Sequence, residues 1–302
     1  MPRAARHLAL AQALAGHLEP DGTAVDPRLF TTADLRRFGW TKRDLAGAVA
    51  SGSLTTVRRG VFLCAGASDE IVAAVKEGGR LACVSVLQPL GVFVLKRSKT
   101  HVHFERGTWK HTPRKRTQIW HWRPLQRSPH PRATCVGLID ALAQATTCQS
   151  PRAAVATLDS ALNLGLISLE DLDEIFARVP ARRRVLRGLV DGRAESGPET
   201  FVRLMALALG FEVQLQVQID GVGRVDLVLD GWLVVECDGE KFHSGWASQK
   251  ADRRRDLALA ARGLTSIRPI AEDILFHPED VMDALRGLRA AHEALGQAGS
   301  RP

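Results

Sequence analysis

The segment Val234-Val235-Glu236-Cys237-Asp238-Gly239-Glu240-Lys241-Phe242-His243 loads acids, a lysine and a histidine directly onto the end of an apolar run. Upstream, Asp226 interrupts a second apolar run, Val225-Asp226-Leu227-Val228-Leu229. Carboxylates grouped on one patch repel one another unless a cation sits among them. An all-oxygen donor set that must also face phosphate suits Mg²⁺. A turn at Asp238-Gly239 accounts for neither Glu236 nor Asp226, so a solvated turn is the weaker explanation.

Register decides whether Asp226 and Glu236 meet. A two-residue loop at Asp230-Gly231 pairs Leu229 with Trp232 and sends the two acids to opposite faces. A three-residue loop, with Gly231 left-handed or bulged, pairs Leu229 with Leu233 and Asp226 with Glu236. The second register stacks Leu227-Val228-Leu229 on Leu233-Val234-Val235 and is the one predicted. It brings the β-carbons of Asp226 and Glu236 to about 5 Å. Period-two alternation then puts Asp238 on the face of Glu236.

The elements around these residues are well punctuated. Pro198-Glu199 starts an amphipathic helix through Phe201, Leu204, Met205 and Ala208 that stops at Gly210. Val213, Leu215, Val217 and Ile219 alternate with Glu212, Gln214, Gln216 and Gln218 as a half-buried strand. Asp220-Gly221 and Asp230-Gly231 turn the chain. The predicted order is helix, strand, strand, strand, helix, strand. Competing chemistries lack their signatures: there is no Gly-x-x-x-x-Gly-Lys-Ser/Thr, no Gly-x-Ser-x-Gly, and Gly221-Val222-Gly223 lacks a third glycine.

Glu199, Arg224-Val225-Asp226, Val235-Glu236-Cys237-Asp238-Gly239, His243, Asp252-Arg253-Arg254-Arg255-Asp256-Leu257, Gly263 and Ile267-Arg268 together resemble the very-short-patch-repair-like branch of the PD-(D/E)XK nucleases. The resemblance covers residues 195–272. It implies a metal-dependent endonuclease using Mg²⁺, with Mn²⁺ substituting. Asp226, Glu236 and the Cys237 carbonyl would be ligands, Glu199 would orient the attacking water, and His243 would stand beside the scissile phosphate. The product would carry a 5′-phosphate. The superfamily lysine two residues beyond the acid is Asp238 here, so Asp238 as an extra ligand, Lys241 or His243 must take its role. Arg253, Arg255 and Arg268 would hold phosphates or brace the carboxylates, or else be ordinary surface charges.

Residues 31–66 read as a unit of their own. Thr31-Thr32-Ala33-Asp34 and Thr41-Lys42-Arg43-Asp44 each open a helix with a capping-box pattern, closed at Gly39 and Gly52. Leu54–Leu63 then alternates and turns at Gly60. Two short helices and a β-wing predict a winged helix-turn-helix, with Lys42 and Arg43 at the groove and Arg58 and Arg59 on phosphates. Val57-Arg58-Arg59-Gly60-Val61-Phe62 also resembles the wing of AbiEi-type antitoxins, weakly continued through Ser85-Val86-Leu87 and residues 100–105.

The chain has 302 residues and a formal charge of +8. Lys96, Arg97, Lys99, Arg106, Lys110, Arg114, Lys115, Arg116, Arg123, Arg127 and Arg132 face the single acid Glu105, with Trp109, Trp120 and Trp122 among them. Such a like-charged stretch predicts a phosphate-tracking surface. His101, His103, His111 and His121 show no zinc spacing, and no Cys-x-x-Cys accompanies them, so zinc is not expected. Five cysteines without pairing, and an N-terminal stretch that reads as an amphipathic helix rather than a signal peptide, predict a cytoplasmic protein.

The resulting expectation is an α/β (α+β multidomain) chain. Residues 1–66 form a winged helix-turn-helix, 67–192 a basic AbiEi-like middle domain, and 193–302 a nuclease-like domain. DNA is the expected partner. The alternatives are a non-catalytic DNA-binding repressor or antitoxin, which would bring a toxin-like protein partner, and an enzyme that cleaves RNA.

Overall fold

The structure is a computed structural model that describes residues 29–96, 98–105, 107, 116–126, 129, 132–238 and 246–299. Several sequence-predicted features lie outside these residues: the N-terminal helix, Arg97, Arg106, Trp109, Lys110, His111, Arg114, Lys115, Arg127, Gly239, Lys241 and His243. The chain is mixed α/β and divides into two compact units. One runs through Cys148 and takes in Glu170–Ala181; the other comprises Gln149–Leu169 and the residues from Arg182 onward. No helix among the described residues is long and apolar enough to cross a membrane.

The first unit opens with β1 (Leu29–Thr31), α1 (Thr32–Arg37), α2 (Lys42–Ala50), β2 (Leu54–Arg58) and β3 (Val61–Cys64). Both helices start as their sequences require. Thr31 Oγ1 accepts from the Asp34 amide at 3.1 Å while Asp34 Oδ2 accepts from the Thr31 amide at 2.9 Å. Thr41 and Asp44 repeat the reciprocal pair at 3.2 and 2.9 Å. Each such cap contributes about 1 kcal/mol. The strands form an antiparallel sheet in the order β1-β3-β2, with Gly60 at φ 73° in the β2–β3 turn. Phe30, Leu35, Trp40, Ala48, Leu54 and Phe62 fill the core beneath it.

Residue 66 is not a break. Val57 and Leu63 share a buried cluster with Val75 of α3 (Asp69–Lys76), and Arg132 pairs with Asp34 at 2.8 Å. Beyond α3 come β4 (Arg80–Leu81), α4 (Val84–Leu87), β5 (Thr100–His103) and β6 (Gln118–His121). They make a small sheet ordered β4-β5-β6, antiparallel then parallel. Helices α5 (Leu138–Cys148) and α7 (Asp171–Ala177) complete the unit.

In the second unit, α6 (Pro151–Asn163) packs on α8 (Gly197–Ala208). The rest is β7 (Val213–Ile219), β8 (Gly223–Leu229), β9 (Leu233–Val235), α9 (Trp246–Ala260), β10 (Thr265–Ile267), α10 (Ala271–Phe276) and α11 (Pro278–Gly299). From α8 to β10 the order is helix, three strands, helix, strand. The sheet runs β10-β9-β8-β7; β10 is parallel to β9 and the other pairs are antiparallel. Leu229 pairs with Leu233 and Leu227 with Val235, the register that stacks the two apolar triplets. The turn holds Asp230 at φ 48° and Gly231 at φ 74°. Asp230 Oδ1 also accepts from the Glu212 amide at 2.7 Å.

Candidate active site

Pairing Leu227 with Val235 puts Asp226, Val228, Val234 and Glu236 on one face of the sheet. Val228 and Val234 pack with Leu259 of α9. Four residues earlier on that helix, Arg255 reaches the same face one turn along, and its NH2 lies 3.1 Å from Glu236 Oε1. The parallel ladder with β10 continues beyond β9. The Glu236 amide donates to Ile267 O at 3.1 Å, the Asp238 amide to Pro269 O at 3.3 Å, and Asp238 O accepts from the Ala271 amide at 3.0 Å. Glu236 and Asp238 therefore hang from one extended segment. Asp226 Oδ2 accepts from the Cys237 amide at 2.8 Å, tying the two strands at the site itself.

Glu199 arrives from the first turn of α8, whose start is capped by Ser196 Oγ accepting from the Glu199 amide at 3.3 Å. Its Oε2 accepts from the Glu195 amide at 2.9 Å and from Gln216 Nε2 at 2.8 Å. Gln216 is the residue that sequence reading missed. It lies on β7 across from Asp226, in a left-handed conformation at φ 54°, where a non-glycine side chain is strained. Its spacing from Gln214 and Gln218 made it look like one more solvent-facing residue. Only its identity as an amide beside an acidic helix start could have marked it.

Burial makes these acids unusual. Glu199 is 5% and Glu236 7% exposed. Burial raises the Glu199 carboxyl above its ordinary range, and the charge of Asp226 adds to the effect. Burial likewise raises Glu236; Arg255 and Arg268 pull it down, while Asp226 and Asp238 push it up again. Asp238 is raised by burial against the pull of Arg268, with Asp252, Asp226 and Asp256 adding repulsion. The Cys237 thiol, buried among Asp226, Glu199, Asp238 and Glu236, is held far from ionisation.

Of the roles open to the arginines, Arg255 and Arg268 take the bracing one. Arg268 stands 3.8 Å from Glu236, 3.0 Å from Asp256 and 3.5 Å from Asp252. Arg253 is exposed. Even so, Glu236 Oε1 is buried and has no hydrogen-bond partner among the described residues, because neither guanidinium is aligned to donate to it. An orphaned buried acceptor is costly.

The sign of this cost can be tested. An acid raised on folding binds its proton more tightly in the native state, so native stability falls as pH climbs from the ordinary carboxylate value of 4.5 upward. Asp226→Asn removes one charge and can still accept from Cys237. It should raise the melting temperature of the metal-free protein, by a margin that widens between pH 5 and 7. It should also shrink the rise produced by millimolar Mg²⁺ or Mn²⁺. Calorimetry showing a pH-independent margin would remove carboxylate repulsion as the cause.

Elsewhere, Lys42, Arg43, Arg58, Arg59 and Arg116 are exposed. Trp120 is not a free stacking platform: it packs edge-on against Phe104 at 5.1 Å and donates to Gln118 Oε1 at 3.0 Å. Zinc-like donors do converge, because Cys83, His101, His121 and Cys148 place one ligand atom each within 4.8 Å of one another. Spacing rules see ligands that share a hairpin or helix; here four separate elements supply one donor each. His103 is not among them.

Comparison of the chain with protein-family models and with curated proteins found no match.

Proposed function

We propose that the chain is a divalent-metal-dependent DNA endonuclease with a PD-(D/E)XK-type catalytic domain, DNA being delivered by a winged helix and the basic region after it. The observation that carries this reading is the convergence of Asp226, Glu236 and Glu199 at one end of the sheet, in the helix-strand-strand-strand-helix-strand order. The residues fit a cation. The charge of Asp226 raises Glu199, Glu236 and Asp238 alike, whereas Arg255 and Arg268 act on Glu236 and Arg268, shared with Asp252 and Asp256, on Asp238. Glu236 Oε1 also lacks a hydrogen bond among the described residues.

Asp226, Glu236, Asp238 and the Cys237 carbonyl would hold Mg²⁺, which when bound supplies charge against the phosphodiester and a more acidic water. The chain's own groups do the positioning. Gln216 and the Glu195 amide fix one Glu199 oxygen, so the other can orient water. Cys237 N–H holds Asp226, and Arg255 and Arg268 aim Glu236. Purified protein incubated with supercoiled plasmid should nick or linearise it with Mg²⁺ or Mn²⁺ and not with EDTA; no cleavage with either ion sinks the proposal.

A second reading, a non-catalytic antitoxin-like regulator with a protein partner, is favoured by one feature of α2. Lys42, Leu45, Ala46, Val49 and Ala50, with Phe62, line a shallow and largely apolar groove, an unusual surface for base readout. Salt dependence separates the two. If Arg58 and Arg59 neutralise phosphates, changing both to alanine should flatten the slope of log affinity against log salt by about two, near 0.9 for each phosphate no longer neutralised. An unchanged slope favours the protein-binding reading of this region.

A further inference from the structure

We propose that Cys83, His101, His121 and Cys148 form a structural zinc site that clamps the small sheet of the first unit. The four come from different elements: Cys83 from the start of α4, His101 from β5, His121 from β6 and Cys148 from the end of α5. Their ligand atoms all lie within 4.8 Å of one another. His101 Nδ1 is 3.1 Å from His121 Nε2 and 3.9 Å from Cys148 Sγ. A zinc tetrahedron with Zn–N of about 2.0–2.1 Å and Zn–S of about 2.3 Å has edges of roughly 3.3–3.8 Å. The observed separations bracket that range, so small side-chain rotations close the site.

Other features support a built site. Cys83 is fully buried and adopts φ 53°, ψ −140°, a backbone state that side chains rarely take and that clusters at functional positions. The surroundings hold the ligands in place. The Cys83 amide donates to Gln144 Oε1 at 3.1 Å, and Gln144 Nε2 lies 3.4 Å from His103 Nδ1. The His101 amide donates to Ser85 Oγ at 3.0 Å, and His101 O accepts from the Ala82 amide at 2.9 Å. The cysteines are free thiols rather than a disulfide.

Two thiolates and two neutral imidazoles match zinc by donor type, and four protein ligands leave no open position, as in structural sites. Binding one Zn²⁺ releases the two thiol protons and leaves a neutral complex. His121 and Cys148 also line an open cavity of about 850 Å³ with Trp120, Trp122 and Arg123, which gives the ion an entry path. This site is distinct from the carboxylate patch, whose donors are all oxygen.

The test uses the full chain. Protein produced with zinc and dialysed against metal-free buffer should retain one zinc per chain by mass spectrometry of the metal. Asp226→Asn should retain it too. The Cys83→Ser/Cys148→Ser variant should hold at least about tenfold less, the floor for disturbing even the partners of zinc ligands. Co²⁺ replacement in the wild-type chain decides without any variant. Intense tetrahedral visible bands with a thiolate charge-transfer band support the site, whereas weak octahedral bands overturn it. Zinc-free wild-type protein, or zinc held equally by the double serine variant, also overturns it.

Discussion

Replacing Asp226 or Glu236 with alanine should slow metal-dependent cleavage of supercoiled plasmid by about a thousandfold or more, with DNA affinity unchanged. The size follows from the several kcal/mol that a correctly held metal contributes to such a reaction, at 1.36 kcal/mol per factor of ten. Alanine carries side effects that must be separated from this loss. Asp226→Ala strands the Cys237 amide, which now donates to Asp226 Oδ2. Glu236→Ala deprives Arg255 of its counterion, while Arg268 keeps Asp252 and Asp256. Asp226→Asn and Glu236→Gln preserve shape and should be nearly as inactive, since each removes a charged ligand. Wild-type cutting by any of the four would mean that the catalytic assignment is wrong.

The second large effect lies behind the site. Arg203→Ala should destabilise the second unit by about 3–5 kcal/mol, because it leaves a buried carboxylate without its counterion. Asp159 is 1% and Arg203 5% exposed, and their closest atoms are 2.8 Å apart. Asp159 also accepts from the Asp191 amide at 2.7 Å and from Thr200 Oγ1 at 2.8 Å. Burial outweighs these donors and pushes the Asp159 carboxyl up to about 6. Removing Arg203 raises it further, so the variant loses increasingly more stability as pH climbs beyond about 6. Urea melts at pH 5 and 7.5 should show the larger loss at 7.5; equal losses would mean that the pair contributes packing and not charge. Thr200 and Arg203 share α8 with Glu199, so the same change should also loosen that acid.

Much of the second unit was legible because its strands are apolar blocks bounded by glycine turns. Leu227-Val228-Leu229 and Leu233-Val234-Val235 can stack in only one register without exposing core residues, and that register brings the acids together. The caps at Thr31 and Thr41 were legible for a local reason: a capping box needs only residues three apart. What stayed hidden depends on the third dimension. Nothing local marks Gln216 as strained or as a hydrogen-bond partner for Glu199. Whether Arg255 and Arg268 turn toward Glu236 or toward solvent is set by where Leu259 docks on the sheet. Cys83, His101, His121 and Cys148 are brought together by α4, β5, β6 and α5, elements whose sequences carry no sign of one another.

The register across the turn at Asp230-Gly231 has a consequence for how the chain tolerates change in length. Loops usually absorb insertions and deletions cheaply, since closure entropy varies slowly with length. The turn itself obeys that rule: without Gly231, Asp230 and Trp232 would close a two-residue hairpin with Leu229 still opposite Leu233 and both acids on one face. The strand that follows does not. Deleting Val234 would leave every acid in the sequence, yet would set Glu236 opposite Leu227 and so on the other face from Asp226. Strand length between the turn and the acid is thus part of the chemistry, as much as the identity of any carboxylate. A variant library that samples lengths rather than residues would find its sharpest activity cliff between Leu233 and Glu236, among apolar residues with no chemistry of their own.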